Sequence, residues 1–336
     1  MSKSKIAFHA YLFSMVIFSG CTASIGDGSV GEESGADGSG SDENGQDAET
    51  DGDFGSTEGD PGLAAETDSC NKMDILFVID DSGSMREEQS NLSANFPQFA
   101  NVINSFTTEL GRPIDYRLAV STTGVSRDLS FAGRGGGDAE RQFGADGALQ
   151  GSDCATSRPW LERRDQNIED TFTCMANVGI NWPGVEMPLE AVRLAIQDRV
   201  SDGSNANFFR EDALLGVVFL TDENDCSWRE TNGNYIGGDS IQGFCDTRPE
   251  SIHTYIDALD TFKEDRGRWA TAVIAGLSDC SSELGDASRA TRLLDFAQQT
   301  GDNAVTSSIC EGDLSTALEE ALQTFDAACD NFPPLE

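Results

Sequence analysis

The chain has 336 residues, with 59 Asp and Glu against 22 Lys and Arg and a formal net charge of −37. That length accommodates one large domain with its own core, and the charge argues against nucleic acid or an anionic membrane surface as a partner. Divalent cations and basic partners fit it better, as does a plain solubility or high-salt adaptation. The two histidines are His9 and His253. A His-rich zinc site is therefore excluded, and any Ser-His-Asp chemistry would have to use His253. Because no nucleophile elbow or paired acid and base accompanies His253, the chain is not expected to be an enzyme.

Residues 1–20 begin with Lys3 and Lys5, continue through the apolar run Ile6 to Phe18, and end in Ser19-Gly20 before Cys21. A basic start, a short apolar stretch and small residues make a secretory signal, too short for a membrane span. Ser19-Gly20-Cys21 resembles a bacterial lipobox, with Phe18 in place of the usual Leu. The resemblance implies lipidation of Cys21, and Thr22 after it implies the outer membrane, facing the periplasm or the cell surface. The alternative is an ordinary signal with a chance Cys. Residues 21–69 are mostly Gly, Ser, Asp and Glu, without Lys or Arg and with few apolar residues. Such a segment cannot bury enough apolar surface to offset its ordering entropy, so it is expected to be a disordered, self-repelling tether.

Residues 70–336 carry the folded domain. Ile75 to Ile79 is an unbroken apolar run, too short for a core helix, and predicts a buried parallel strand. Met85 to Leu110 has helical apolar spacing, with a kink or break expected at Pro97. Tyr116 to Thr122 reads as a second strand, and Gly124 to Cys174 as a long, Gly-rich irregular loop. A helix over Met187 to Arg199 and a strand over Leu214 to Leu220 follow. Further on come a strand over Trp269 to Ala275, a helix over Ala287 to Gln299, an edge strand over Ala304 to Ile309 and a helix over Leu314 to Phe325. The alternation predicts a doubly wound α/β fold with a mostly parallel sheet flanked by helices.

The run Asp80-Asp81-Ser82-Gly83-Ser84 closes the first strand, and Thr221-Asp222-Glu223-Asn224-Asp225 closes the strand over Leu214 to Leu220. Asp80, Ser82 and Ser84 stand at alternate positions, from which oxygens can converge on a hard divalent cation. The competing reading is an ordinary turn in which a Ser caps the helix. Together the two stretches resemble the metal-ion-dependent adhesion site of von Willebrand factor type A domains. The resemblance implies a cation, Mg2+ or Ca2+ with Mn2+ as a third candidate, held by Asp80, Ser82, Ser84 and Asp222. It also implies recognition of a protein or surface glycan, whose carboxylate completes the coordination. The family's Thr ligand has no counterpart between Cys174 and Asp202, and Glu186 stands near its place. Glu186 is read either as a replacement ligand or as a first-turn acid favoured by the helix dipole. Asp81, Glu223 and Asp225 are expected to support the site from nearby.

With Cys21 set aside for lipidation, the nine Cys leave an even set of eight in an exported protein. Eight allow on the order of a hundred connectivities. The favoured set is Cys70-Cys329, Cys154-Cys174, Cys226-Cys245 and Cys280-Cys310. The segment closed by Cys226 and Cys245 carries Trp228, Arg229, Asn232, Asn234, Tyr235 and Asp239, a mixture expected of a recognition surface. The function expected is that of an envelope lipoprotein recognising a ligand through a cation. The alternative is a structural or assembly component of an envelope complex, with a cation that only stabilises loops.

Overall fold

A computed structural model describes residues 70–333 apart from 109, 132–138, 181–184, 230–233, 237–244, 246–249 and 283–284. The signal segment, Cys21, the tether, Asn232 and Asp239 lie outside the described residues, as do the side chains of Asn234 and Tyr235. Among the described residues no helix is long and apolar enough to cross a membrane.

In chain order the elements are β1 (Lys72–Ile79), α1 (Arg86–Ser105), β2 (Asp115–Thr122), β3 (Arg127–Phe131), β4 (Ala139–Gln142), β5 (Leu161–Glu162) and α2 (Ile168–Ala176). There follow α3 (Pro188–Ile196), α4 (Asp198–Ser201), β6 (Leu214–Leu220), β7 (Asn234–Ile236), α5 (Ile252–Lys263) and β8 (Trp269–Ala275). The last are β9 (Cys280–Ser282), β10 (Gly285–Ala287), α6 (Thr291–Thr300), β11 (Ala304–Ser308) and α7 (Leu314–Asp330). The main sheet runs β11-β8-β6-β1-β2-β5, parallel except for the short antiparallel β5 at one edge. The chain winds outward from β1 through β2 and then restarts on its other side with β6. The strand order therefore reverses between β1 and β6, where open α/β sheets place their ligands.

β1 shows why a continuous apolar run is needed at the centre of such a sheet. Ile75, Phe77 and Ile79 face one layer, with α1 and α7, while Leu76 and Val78 face the other, with α3, α5 and α6. Both faces are covered, so alternation disappears from the sequence. On the first face Phe77 meets Phe99 and Phe172 edge-on, at centroid distances of 5.4 and 4.9 Å. Gly216 in β6 lets α7 lie close, since a Cβ there would come within 2.7 Å of the Phe325 ring.

Several expected elements are redrawn. α1 runs through Pro97 without a break and ends at Ser105. Leu92, Phe96, Phe99 and Ile103 are buried on both sides of the proline, and their packing outweighs one lost backbone bond. The stretch from Gly124 to Cys174 is not a featureless loop. It contains α2 and the strands β3 and β4, which join β7 in a small second sheet. α6 begins at Thr291 rather than Ala287, because Gly285–Ala287 pairs with Cys280–Ser282 as a hairpin. Disulfides join Cys70 to Cys329, Cys154 to Cys174, Cys226 to Cys245 and Cys280 to Cys310, with Cα–Cα distances of 5.2, 5.7, 4.9 and 6.4 Å.

Candidate metal centre

The centre forms where β2, β1 and β6 end side by side, with Ile79 in register with both Thr122 and Leu220. The Asp80 amide donates to the Leu220 carbonyl (2.9 Å) and the Thr123 amide to the Ile79 carbonyl (3.2 Å), so the strand ends are tied together before the loops diverge. Asp80 is fully buried. One of its carboxylate oxygens accepts from the Ser82 amide (2.8 Å) and the other from the Thr221 hydroxyl (2.5 Å). Ser82 and Ser84 present their hydroxyl oxygens 2.9 Å apart. Neither Ser82 before the short turn Gly83–Met85 nor Met85 before α1 makes a side-chain capping bond. The helix-capping reading of these serines therefore fails, and their hydroxyls remain turned toward each other.

Asp222 stands two residues past the end of β6. Ser84 lies close enough to its carboxylate to favour the ionised form, while one oxygen, Oδ1, is buried with no partner. Glu186 is 3% exposed and lies two residues before α3, not in its first turn. The first-turn acid of α3 is Glu190. Glu186 is fixed by its backbone, which bridges to Gly124 and accepts from the Cys226 amide (2.9 Å), and its carboxyl lies beside that of Glu223, which favours its protonated form.

The electrostatics follow from packing several acids together. Burial pushes Asp80 up to about 7, against the hydrogen bonds from Thr221 and Ser82. Burial and then the charge of Asp80 push Asp222 up to about 7. Burial, with Asp80 and Glu223 adding repulsion, pushes Glu186 up to about 11. Such a cluster holds protons at neutral pH as a unit. Among the described residues no three His, Cys, Asp or Glu side chains converge as a ready-made cage. The donor set is instead a mixture of hydroxyls and carboxylates, the oxygen chemistry of a hard divalent cation. An orphaned Asp222 oxygen and mutually repelling carboxyls are what a missing positive charge would satisfy, so the residues fit such an ion.

Thr221, part of the second motif stretch, holds Asp80 in place. Three further residues escaped motif reasoning. Gln89, in α1, donates to the Asp80 carbonyl (2.8 Å) and to the Gly179 carbonyl (2.9 Å), joining the loop after β1 to the segment that leads to Glu186. Glu88 is buried with its Oε2 unpartnered, and burial followed by Asp222 raises it to about 7. Thr123 has a buried hydroxyl with no partner, at the end of β2. An acid pair just after the serines and a Thr pair closing a strand were the available signals.

Asp225 is fully buried and accepts from the Leu189 amide at the start of α3 (3.1 Å), from Ser227 and from Arg292 (3.0 Å). Trp228 is not on a recognition surface. It is 4% exposed, beneath the Arg127 guanidinium, because Arg127 also needs the Trp228 carbonyl (2.8 Å) and Glu190 (3.1 Å) to be satisfied in the interior. Arg229 remains exposed, and His253 is exposed on α5.

No protein-family model matches the chain, and no curated protein matches it in sequence. Solved structures similar to it include proximal thread matrix protein 1 from the mussel byssus, with TM-score 0.38 and 15% identity over 78% of this chain and 47% of that one. The pilus adhesin SpaC from Lactobacillus rhamnosus GG gives TM-score 0.34 and 11% identity over 78% of this chain and 31% of that one. The manganese-loaded TRAP protein of Plasmodium vivax gives TM-score 0.32 and 12% identity over 75% and 74%. The chain thus spans about half the length of the mussel protein.

Proposed function

We propose that the chain is an exported recognition protein that holds a divalent cation, Mg2+, Ca2+ or Mn2+, among Asp80, Ser82, Ser84, Asp222 and Glu186. The observation that supports this best is the meeting of Asp80 and its two serines with Asp222 at the point where the strand order reverses, with an Asp222 oxygen left unpartnered there. The cation would neutralise the acids and offer a positive end to an acidic group on a protein or glycan partner. The four disulfides agree with an oxidising compartment. Lipidation at Cys21, anchorage in the outer membrane and display on the tether of residues 21–69 belong to the same proposal.

A second reading has its own observation. Glu186 brings a further buried carboxylate, which would leave the cation less positive toward an outside anion, as a purely structural ion in an envelope assembly needs. Two measurements separate the readings. Calorimetry of the chain stripped with EDTA should detect binding of Mg2+, Ca2+ or Mn2+ that is lost in Asp80→Ala; an unchanged Asp80→Ala isotherm overturns the site. Partner capture that is abolished by EDTA supports recognition, whereas capture indifferent to EDTA supports the structural ion.

A further inference from the structure

We propose that the open cavity beside the candidate metal centre is a binding site for a neutral oligosaccharide. The cavity has a volume of about 930 Å³ and lies between the first turns of α1, the segment around Gly151 and the end of α2. None of the five cation-holding residues lines it. It goes beyond the cation-centred reading, resting on it for biological purpose and not for chemistry. The two sites share one wall, because Gln89 lines the cavity and ties the Asp80 carbonyl to Gly179.

The walls are fixed before any ligand arrives. The Cys154-Cys174 disulfide spans two sides, with Cα atoms 5.7 Å apart. Gly151, at φ +126°, lies over Met175, whose Cε would be 3.3 Å from an added Cβ. A preformed cavity of this size is at the upper end for small ligands, and rigid walls reduce the entropy lost on binding.

The lining selects the ligand class. Ser90, Ser93, Gln150 and Asn177 present hydroxyls and amides. These groups both donate and accept, as sugar hydroxyls do. Asp153 and Asp170 supply carboxylates that can each accept a pair of neighbouring hydroxyls, while Val178 and Ile180 offer apolar contact to the C–H face of a ring. Among the described lining residues Arg86 is the single cation against these two acids, in a chain of net charge −37. Phosphorylated, sulfated or sialylated ligands are therefore repelled. A wholly apolar ligand would leave the polar lining unpaired, at a cost for each buried group.

The test is saturation-transfer NMR on the full chain in EDTA, with maltotriose, cellotriose, mannotriose and triacetylchitotriose as probes and sialyllactose as the anionic control. Transfer to ring protons of at least one neutral probe is expected, with affinity weakened about tenfold or more in Ser93→Trp, which fills the cavity, and in Asp170→Asn. Near-ultraviolet circular dichroism checks that both variants fold. Asp80→Ala should retain sugar binding while losing cation binding, so failure of one site is distinguishable from failure of the other. The proposal is overturned if no neutral probe shows transfer, if binding requires the cation, if sialyllactose binds equally well, or if both folded variants bind like the parent.

Discussion

Glu186→Gln separates a cation ligand from a bystander through the protons it moves. In the cation-free chain Glu186 is held near 11 by burial and by the charges of Asp80 and Glu223, while Asp80 and Asp222 are held near 7. At about pH 7.5 Glu186 is protonated, and the aspartates share protons with it as a unit. A cation that engages Glu186 must expel its proton, together with those the aspartates hold. Gln has nearly the shape of the protonated acid, so the cation-free fold should tolerate it. Proton release should fall by about one per ion, and the steep rise of affinity with pH should flatten accordingly. Calorimetry in two buffers of different ionisation enthalpy counts the protons directly. Equal proton release by wild type and Glu186→Gln would refute the ligand role, whatever happens to the affinity.

The same carboxyls set the stability of the cation-free chain. Asp80 and Asp222 lie near 7 when folded and near 3.8 when unfolded, so the folded state binds more protons between those values and stability falls as pH rises through about 7. Thermal unfolding in EDTA should show a higher midpoint at about pH 5 than at about pH 7.5. The gap should shrink in Asp222→Asn or on adding the cation; a gap unchanged in Asp222→Asn would assign it to general charge repulsion. Asp225→Ala removes the partner of the Leu189 amide, Ser227 and Arg292 in a fully buried position, and should cost about 3–5 kcal/mol in denaturant unfolding. A loss under about 1 kcal/mol would show that solvent reaches Arg292 once the carboxylate is gone.

The sheet was legible because its central strands are apolar on both faces, and few other structures need such runs. Ile75 to Ile79 and Leu214 to Leu220 announce themselves, and the residues closing them mark the strand ends where a site forms. The helix is not broken at Pro97: proline's local cost is visible in sequence, and the burial of Phe96 and Phe99 that outweighs it is not. α2 and the small sheet were hidden in a Gly-rich stretch whose order depends on partners distant in the chain, such as β7. At the site, Asp80, Ser82, Ser84 and Asp222 could be placed from the motif. Gln89 and Asp225 could not, since each acts on backbone groups contributed by a different segment. Trp228 and Arg229 are adjacent in sequence, yet one is a core residue and the other is exposed; only the buried Arg127 explains the difference.

The path from Cys70 to Asp80 also has a mechanical meaning. Cys70 is joined to Cys329, and the next segment of chain is β1, which runs straight to the candidate centre with β2 on one side and β6 on the other. A pull between Cys70 and anything held at Asp80 is directed along this strand. It loads both parallel ladders sideways, so their hydrogen bonds must fail together instead of opening one at a time from an end. The disulfide passes part of the same load to the end of α7 at Cys329. A tug on this molecule is thus shared between the two ladders of β1 and the helix packed against them.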